Sequence, residues 1–161
     1  MQTLDILERL IAFPTLSRSP NRDLISYVTG LLDGAGITWD LIESDDGTRA
    51  NLFATVGPRD TGGVVLSGHT DVVPVEGQNW THDPFKLTHH DGRYYGRGTA
   101  DMKGFVAAAI CAALSAAKRD LKTPLHLALS YDEEIGCIGV RSLIDYLATR
   151  TTRPALCIVG E

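Results

Sequence analysis

Leu4, Leu7, Leu10 and Ile11 recur at the three- and four-residue spacing of one helix face, and Pro14 ends that helix by disfavouring helical geometry at Phe13. Leu24, Ile25, Val28, Leu31 and Leu32 repeat the pattern in a second amphipathic helix that stops near Gly34. The period then changes. Two strand-like runs, Ile37 to Ile42 and Leu52 to Val56, flank an Asp46-Gly47 turn. Val64-Val65-Leu66 is short and apolar throughout, as in a strand covered on both faces. Asp91-Gly92, set between Leu87–His90 and Arg93–Tyr95, predicts a two-residue hairpin. From Met102 to about Lys118 the chain is rich in alanine, with Phe105, Val106, Ala109, Ile110, Ala113 and Leu114 at helical spacing, so this helix can lie close on a sheet. A strand over Leu125 to Ser130, a helix over Val140 to Leu147 and a core strand over Ala155 to Val159 complete the pattern.

Helices alternating with buried strands predict an α/β fold: a mixed, mostly parallel sheet flanked by helices on both faces. With no internal repeat, low-complexity tract or linker, the chain reads as one domain. Composition narrows the class further. A hydrophobic share of 43% against 22% charged residues is that of a globular chain rather than a disordered one. No apolar run reaches the roughly 20 residues that a membrane span needs, and the opening Met1-Gln2-Thr3-Leu4-Asp5 is not a secretory signal. Cys111, Cys137 and Cys157 are odd in number and lack C-x-x-C spacing, so they read as free, buried thiols of a reducing compartment. The net charge of −5 argues against a nucleic-acid partner. A cytoplasmic protein with neither a nucleic-acid nor a membrane partner is expected.

The chemistry gathers at strand ends, where loops of an open α/β sheet converge on one crevice. Val64–Leu66 runs into Ser67-Gly68-His69-Thr70-Asp71, Leu125–Ser130 into Tyr131-Asp132-Glu133-Glu134, and Ala155–Val159 into Gly160-Glu161. If these strands are parallel, one rim collects His69, Asp71, Glu133, Glu134 and Glu161, and Asp101 joins them just before the alanine-rich helix. So many carboxylates in one crevice are unfavourable unless neutralised. With a histidine among them, they suit a pair of divalent cations: zinc first, with cobalt or manganese as alternatives. Gly68 and Gly104, beside these donors, would permit a sharp turn or a close approach. Other chemistries lack their signatures. There is no G-x-x-x-x-G-K-[ST], no H-E-x-x-H and no G-x-S-x-G, and Gly96-x-Gly98 lacks a third glycine.

S-G-H-T-D-V-V-P (67–74), G-R-G-T-A-D-M-K-G (96–104), Y-D-E-E-I-G (131–136) and V-G-E (159–161), in this order, resemble the di-zinc aminoacylase and carboxypeptidase family. The resemblance spans nearly the whole chain. It implies metal-dependent hydrolysis of the amide bond of an N-acyl amino acid, with N-acetylornithine of arginine biosynthesis as the expected substrate. By the same resemblance His69, Asp101 and Glu161 hold one Zn2+, and Asp101 bridges to a second, held by Glu134 and a histidine further along. Co2+ is an alternative metal. Glu133 is the general base, and Asp71 holds His69 from behind. Residues 1–161 then form the N-terminal portion of the catalytic metal-binding domain. The rest of that domain and a dimerisation or lid domain are absent, so the chain alone is expected to be inactive and to bind at most one metal well. A homodimer is expected for the full-length protein.

Plainer roles stand beside these. Asp101 suits a helix N-cap, and 132–134 could be a solvated acidic turn. Arg97 and Lys103 either orient substrate or offset charge. His89-His90 reads as a solvated hairpin tip. Within the same family, succinyl-diaminopimelate desuccinylation or dipeptide cleavage use the same motifs, and a non-catalytic metal-binding module is the alternative of another class.

Overall fold

A computed structural model describes residues 2–161. Its elements follow the sequence pattern closely: α1 (Thr3–Ile11), α2 (Arg22–Gly34), β1 (Thr38–Glu43), β2 (Ala50–Val56), β3 (Val64–His69), β4 (Thr88–His90), β5 (Arg93–Tyr95), α3 (Lys103–Ala116), β6 (Leu125–Ser130), α4 (Val140–Ala148) and β7 (Leu156–Val159). β4 and β5 form the expected hairpin, and Asp91 and Gly92 at its tip both have positive φ, 48° and 70°, as a two-residue turn of this type requires. None of the described helices is long and apolar enough to cross a membrane.

The other five strands form one sheet in the order β1-β2-β6-β3-β7. β6, β3 and β7 are parallel, β2 is antiparallel to β6, and β1 is antiparallel to β2. Four of the five strands therefore point the same way, with β2 alone reversed. β2 is buried at all seven positions because helices cover both of its faces. Leu52, Ala54 and Val56 meet the cluster built by α1, α2 and α3, while Phe53 packs with Leu143 of α4 on the other side. α3 does lie close on the sheet. A Cβ on Gly68 would fall 2.9 Å from Val106, and one on Gly104 would fall 2.4 Å from the Thr99 carbonyl oxygen. Both glycines thus serve close approach rather than a turn.

Two sequence expectations are corrected. β7 is an edge strand rather than a core strand: Leu156, Ile158 and Val159 are exposed, since among the described residues no strand pairs with its outer side. The cysteines are not all buried. Cys137, in the loop after β6, and Cys157, on that open edge strand, are exposed, and Cys111 is half-buried.

His126 occupies the interior of β6, its Nδ1 3.0 Å from Thr55 Oγ1 and its ring stacked on Phe53 with centroids 5.1 Å apart. Burial, aided by the positive charge of Arg150, holds its pKa below the ordinary 6.5. The unfolded chain therefore takes up this proton first as pH falls, and the folded state loses stability from about pH 6.5 downward. Urea midpoints at pH 7.5 and 5.5 should show a smaller acid loss in His126→Gln than in the unaltered chain. Equal losses would remove His126 from the account.

Candidate metal centre

Parallel β3 and β6 run in register to their ends, with His69 opposite Ser130, and β7 lies alongside β3 with Val159 opposite Ser67. Their carboxyl ends therefore release His69, the 131–134 segment and Glu161 at one rim. Asp101 arrives there from the turn before α3.

His69 is the centre of the cluster, 1% exposed. Its Nδ1 lies 2.9 Å from the Asp71 carbonyl oxygen. A carbonyl only accepts, so Nδ1 carries the hydrogen and Nε2 is turned to the crevice. Around Nε2 stand Asp101 Oδ1 at 3.1 Å, Glu161 Oε1 at 3.4 Å and Glu133 Oε2 at 3.8 Å. Two sets of three donors lie within 4.8 Å of one another: His69, Asp101 and Glu134, and His69, Glu133 and Glu161. This grouping divides the acids differently from the resemblance, which places Asp101 with Glu161. All six residues singled out from the sequence are nonetheless brought to one rim.

The electrostatics match a cation site. Burial disfavours the charged form of His69, but the adjoining Asp71 and the charge of Glu133 overcome it and raise its pKa to about 9. Glu134 is shifted upward by burial and by the Asp101 carboxylate. One imidazole ring thus faces five acidic side chains. Divalent cations at Nε2 and among these oxygens would neutralise the excess, and an imidazole–carboxylate donor set suits zinc. The residues fit the group.

Asp71 reaches His69 chiefly through its carbonyl. Its carboxylate, 3.5 Å from Nδ1, does a second job that the sequence did not reveal. Oδ1 accepts the Glu133 N–H at 3.0 Å, and Oδ2 accepts the Ser17 hydroxyl at 2.8 Å. These hydrogen bonds and that of His69 outweigh burial and lower its pKa. Asp71 therefore ties the imidazole, the glutamate loop and the segment between α1 and α2 into one unit. Ser17 carried no signal, because its partner lies 54 positions away.

Several plainer readings are also decided. Asp101 does not cap α3. The N-cap is Met102, without a side-chain hydrogen bond, and the Asp101 carboxylate turns to His69 instead. Lys103 neither faces substrate nor pairs with an acid: it is 1% exposed, and its Nζ donates to the carbonyls of Leu10 at 3.0 Å and Phe13 at 2.7 Å, closing the C-terminal end of α1. Burial lowers its pKa to about 7, against the pull of Asp71. Arg97 is engaged with Gln78 and lies over Trp80, 5.1 Å from the ring centroid. Cys137 Sγ donates to Glu133 Oε1 at 3.3 Å, and that carboxylate pushes the thiol pKa up.

A cleft of about 230 Å3 adjoins the cluster, lined by His69, Glu133, Cys137, Glu161 and the apolar Met102 and Val159. A larger one of about 430 Å3 lies between the C-terminal ends of α2 and α3 but holds no converging acids, so size alone does not locate the chemistry.

The sequence model of peptidase family M20/M25/M40 matches residues 65–161, the part of the chain that supplies all these donors. The chain belongs to this family. Among its M20 relatives is the acetylornithine deacetylase of Pasteurella multocida (strain Pm70), 39% identical over 165 residues. That alignment covers 98% of this chain and 42% of the relative, so the chain spans less than half of that protein's length. Human carnosine dipeptidase 1 superposes with a TM-score of 0.82 at 25% identity, covering 98% of this chain and 38% of its own. The M20 metallo-carboxypeptidase Sso-CP2 of Sulfolobus solfataricus gives the same TM-score at 22% identity over 99% of this chain and 37% of its own, a likeness of fold. The family is one of metal-dependent hydrolases, and the α/β sheet with helices on both faces is its catalytic-domain architecture.

Proposed function

We propose that this chain carries the larger part of a two-cation site that hydrolyses the amide bond of an N-acyl amino acid, with N-acetylornithine as substrate and ornithine and acetate as products. The observation that carries the reading is the convergence of His69, Asp101, Glu133, Glu134 and Glu161 at the ends of parallel strands. His69, Asp101 and Glu161 would hold one zinc, and Asp101 and Glu134 the other. Asp101 would serve both, as the family resemblance implies; a carboxylate has two oxygens to offer, whereas His69 has only Nε2 left. Bound there, zinc or its substitute cobalt lends Lewis acidity to the acyl carbonyl and acidity to the attacking water.

The chain's own residues do the rest. Glu133 Oε1 is held by the Cys137 thiol, which leaves Oε2 as the base. It takes a proton from the water that attacks the acyl carbon, then delivers it to the amine nitrogen as the C–N bond breaks. Water is the nucleophile throughout, so no acyl-enzyme forms. Asp71 fixes the imidazole tautomer and the Glu133 backbone together. A binding module has no use for a base beside its ligands, which favours an enzyme.

The second cation lacks a nitrogen donor among the described residues. His82, His89 and His90 lie on or beside the β4–β5 hairpin, and His126 faces Thr55. We infer that the site is completed from outside these 161 residues and that the chain alone is inactive. The complete protein would be a cytoplasmic homodimer of arginine biosynthesis, where three unpaired thiols stay reduced.

Desuccinylation of succinyl-diaminopimelate and dipeptide cleavage need the same groups, and the likeness to an acetylornithine deacetylase favours the acetyl substrate over both. Parallel assays of the zinc-loaded full-length protein on N-acetylornithine, N-succinyl-diaminopimelate and a dipeptide test this. The highest kcat/KM should fall to N-acetylornithine. A faster succinyl or dipeptide reaction would reassign the substrate, and no turnover by metal-loaded protein would end the enzymatic reading.

A further inference from the structure

Asp132 belongs to the acidic run 132–134 but to neither donor cluster. It is 2% exposed, and both of its oxygens are taken. Oδ1 accepts the backbone N–H of Arg18 at 2.6 Å, and Oδ2 accepts Arg49 Nη1 in an ion pair. Its φ is +54°, in the left-handed region that aspartate enters more readily than most residues with a side chain. This corner turns the chain out of β6, and Glu133 and Glu134 follow it directly.

Arg49 stands immediately before β2, the strand buried along its whole length. Its guanidinium lies over Tyr131, 5.3 Å from the ring centroid, and a second nitrogen reaches Asp46 Oδ2 at 3.3 Å. Two residues on, Asn51 Nδ2 donates to the Gly139 carbonyl at 2.8 Å and to Ser142 Oγ at 3.0 Å. The start of β2 therefore grips both ends of one loop, Asp132 through Arg49 and Gly139 through Asn51. The loop closes on itself between these grips: Ile138 N–H donates to Asp132 O at 3.1 Å, and the Gly136 and Cys137 N–H groups donate to Glu133 O.

We propose that Arg49 is a positioning residue for the glutamate pair. Through Asp132 it holds the loop from which Glu133 and Glu134 project, and so it sets how well the crevice holds a cation. The second half of this statement rests on the metal reading above; the first does not. The buried carboxylate needs a fixed, planar donor that also packs on Tyr131, and a guanidinium meets both needs where an ammonium meets one.

Two measurements on the full-length protein test this: amide hydrogen exchange without metal, and Co2+ titration followed by visible absorption. In Arg49→Gln the amides of Glu133, Gly136, Cys137 and Ile138 should exchange about tenfold faster or more, while those of α1 and α2 stay unchanged. Co2+ affinity should fall about tenfold, the size expected when a group supporting a ligand is lost. Arg49→Lys should recover part of both effects and keeps the test open if the Gln variant misfolds. Asp132→Asn should reproduce the loss, and the double variant should fall no further than either single one. Loop exchange equal to that of the unaltered chain would overturn the proposal. So would uniformly faster exchange over the whole chain with unchanged Co2+ affinity, which would make Arg49 a general stabiliser. If the unaltered full-length protein takes up no Co2+, the metal reading fails, and loop exchange alone decides whether Arg49 holds the glutamates.

Discussion

In the metal-loaded full-length protein, Glu133→Gln should lower kcat by about 10²–10⁴-fold and leave the metal content per chain unchanged. Gln keeps the length and shape of the side chain and can still meet the Cys137 thiol. What it loses is the ability to accept a proton from water and return it to the leaving nitrogen. KM should move little, because the carboxylate is assigned to proton transfer rather than to holding substrate. The geometry makes the competing outcome concrete: Glu133 is the third donor of the set that also holds His69 and Glu161. If Glu133 were a ligand, the substitution would reduce bound zinc in step with activity. Metal analysis beside the rate measurement separates the two roles, and a parallel loss of zinc would overturn the assignment of Glu133 as base.

The parts of this site that the sequence displayed are those whose information is local. A buried apolar run followed at once by His69, or by Glu133 and Glu134, places a donor at a strand end without knowledge of the strand's neighbours. The order of strands is another matter. β6 inserts between β2 and β3, and nothing in the periodicity of Leu125–Ser130 says so, because a fully buried strand looks alike in every central position. The supporting network was hidden for the same reason. Ser17 meets Asp71, Arg18 meets Asp132 and Arg49 meets Asp132 over separations of 54, 114 and 83 residues. Each of these residues, seen alone, is an ordinary polar residue. Lys103 misled in the opposite direction: its place near Asp101 left it to orient substrate or to offset charge, yet its side chain runs under α1 and does neither. The exposure of Cys157 reflects an edge position, which apolar content alone cannot distinguish from a central one.

Co2+ binding to the 161-residue chain should depend far more on His69 than on Glu134, although both stand in one donor set. His69 Nδ1–H is committed to the Asp71 carbonyl, so the imidazole offers one lone pair and can serve one cation only. His69 is the member common to both donor sets; with a cation at Nε2, a carboxylate would have to be shared instead. Asp101, whose Oδ1 lies 3.1 Å from Nε2, is the carboxylate proposed for that role. On the proposed division, the better-equipped position in this chain would be the one with His69, Asp101 and Glu161, and the position at Glu134 would stay weak without a nitrogen donor. His69→Ala should weaken the first Co2+ by more than about 100-fold, beyond the range seen for supporting groups. Glu134→Gln should change it by less than about threefold, since it removes a donor only from the weaker position. Asp101→Ala, which takes an oxygen from both, should behave like His69→Ala. Equal losses from His69→Ala and Glu134→Gln would mean that the two residues hold the same ion, and the division of the crevice into two cation positions with Asp101 between them would have to be abandoned.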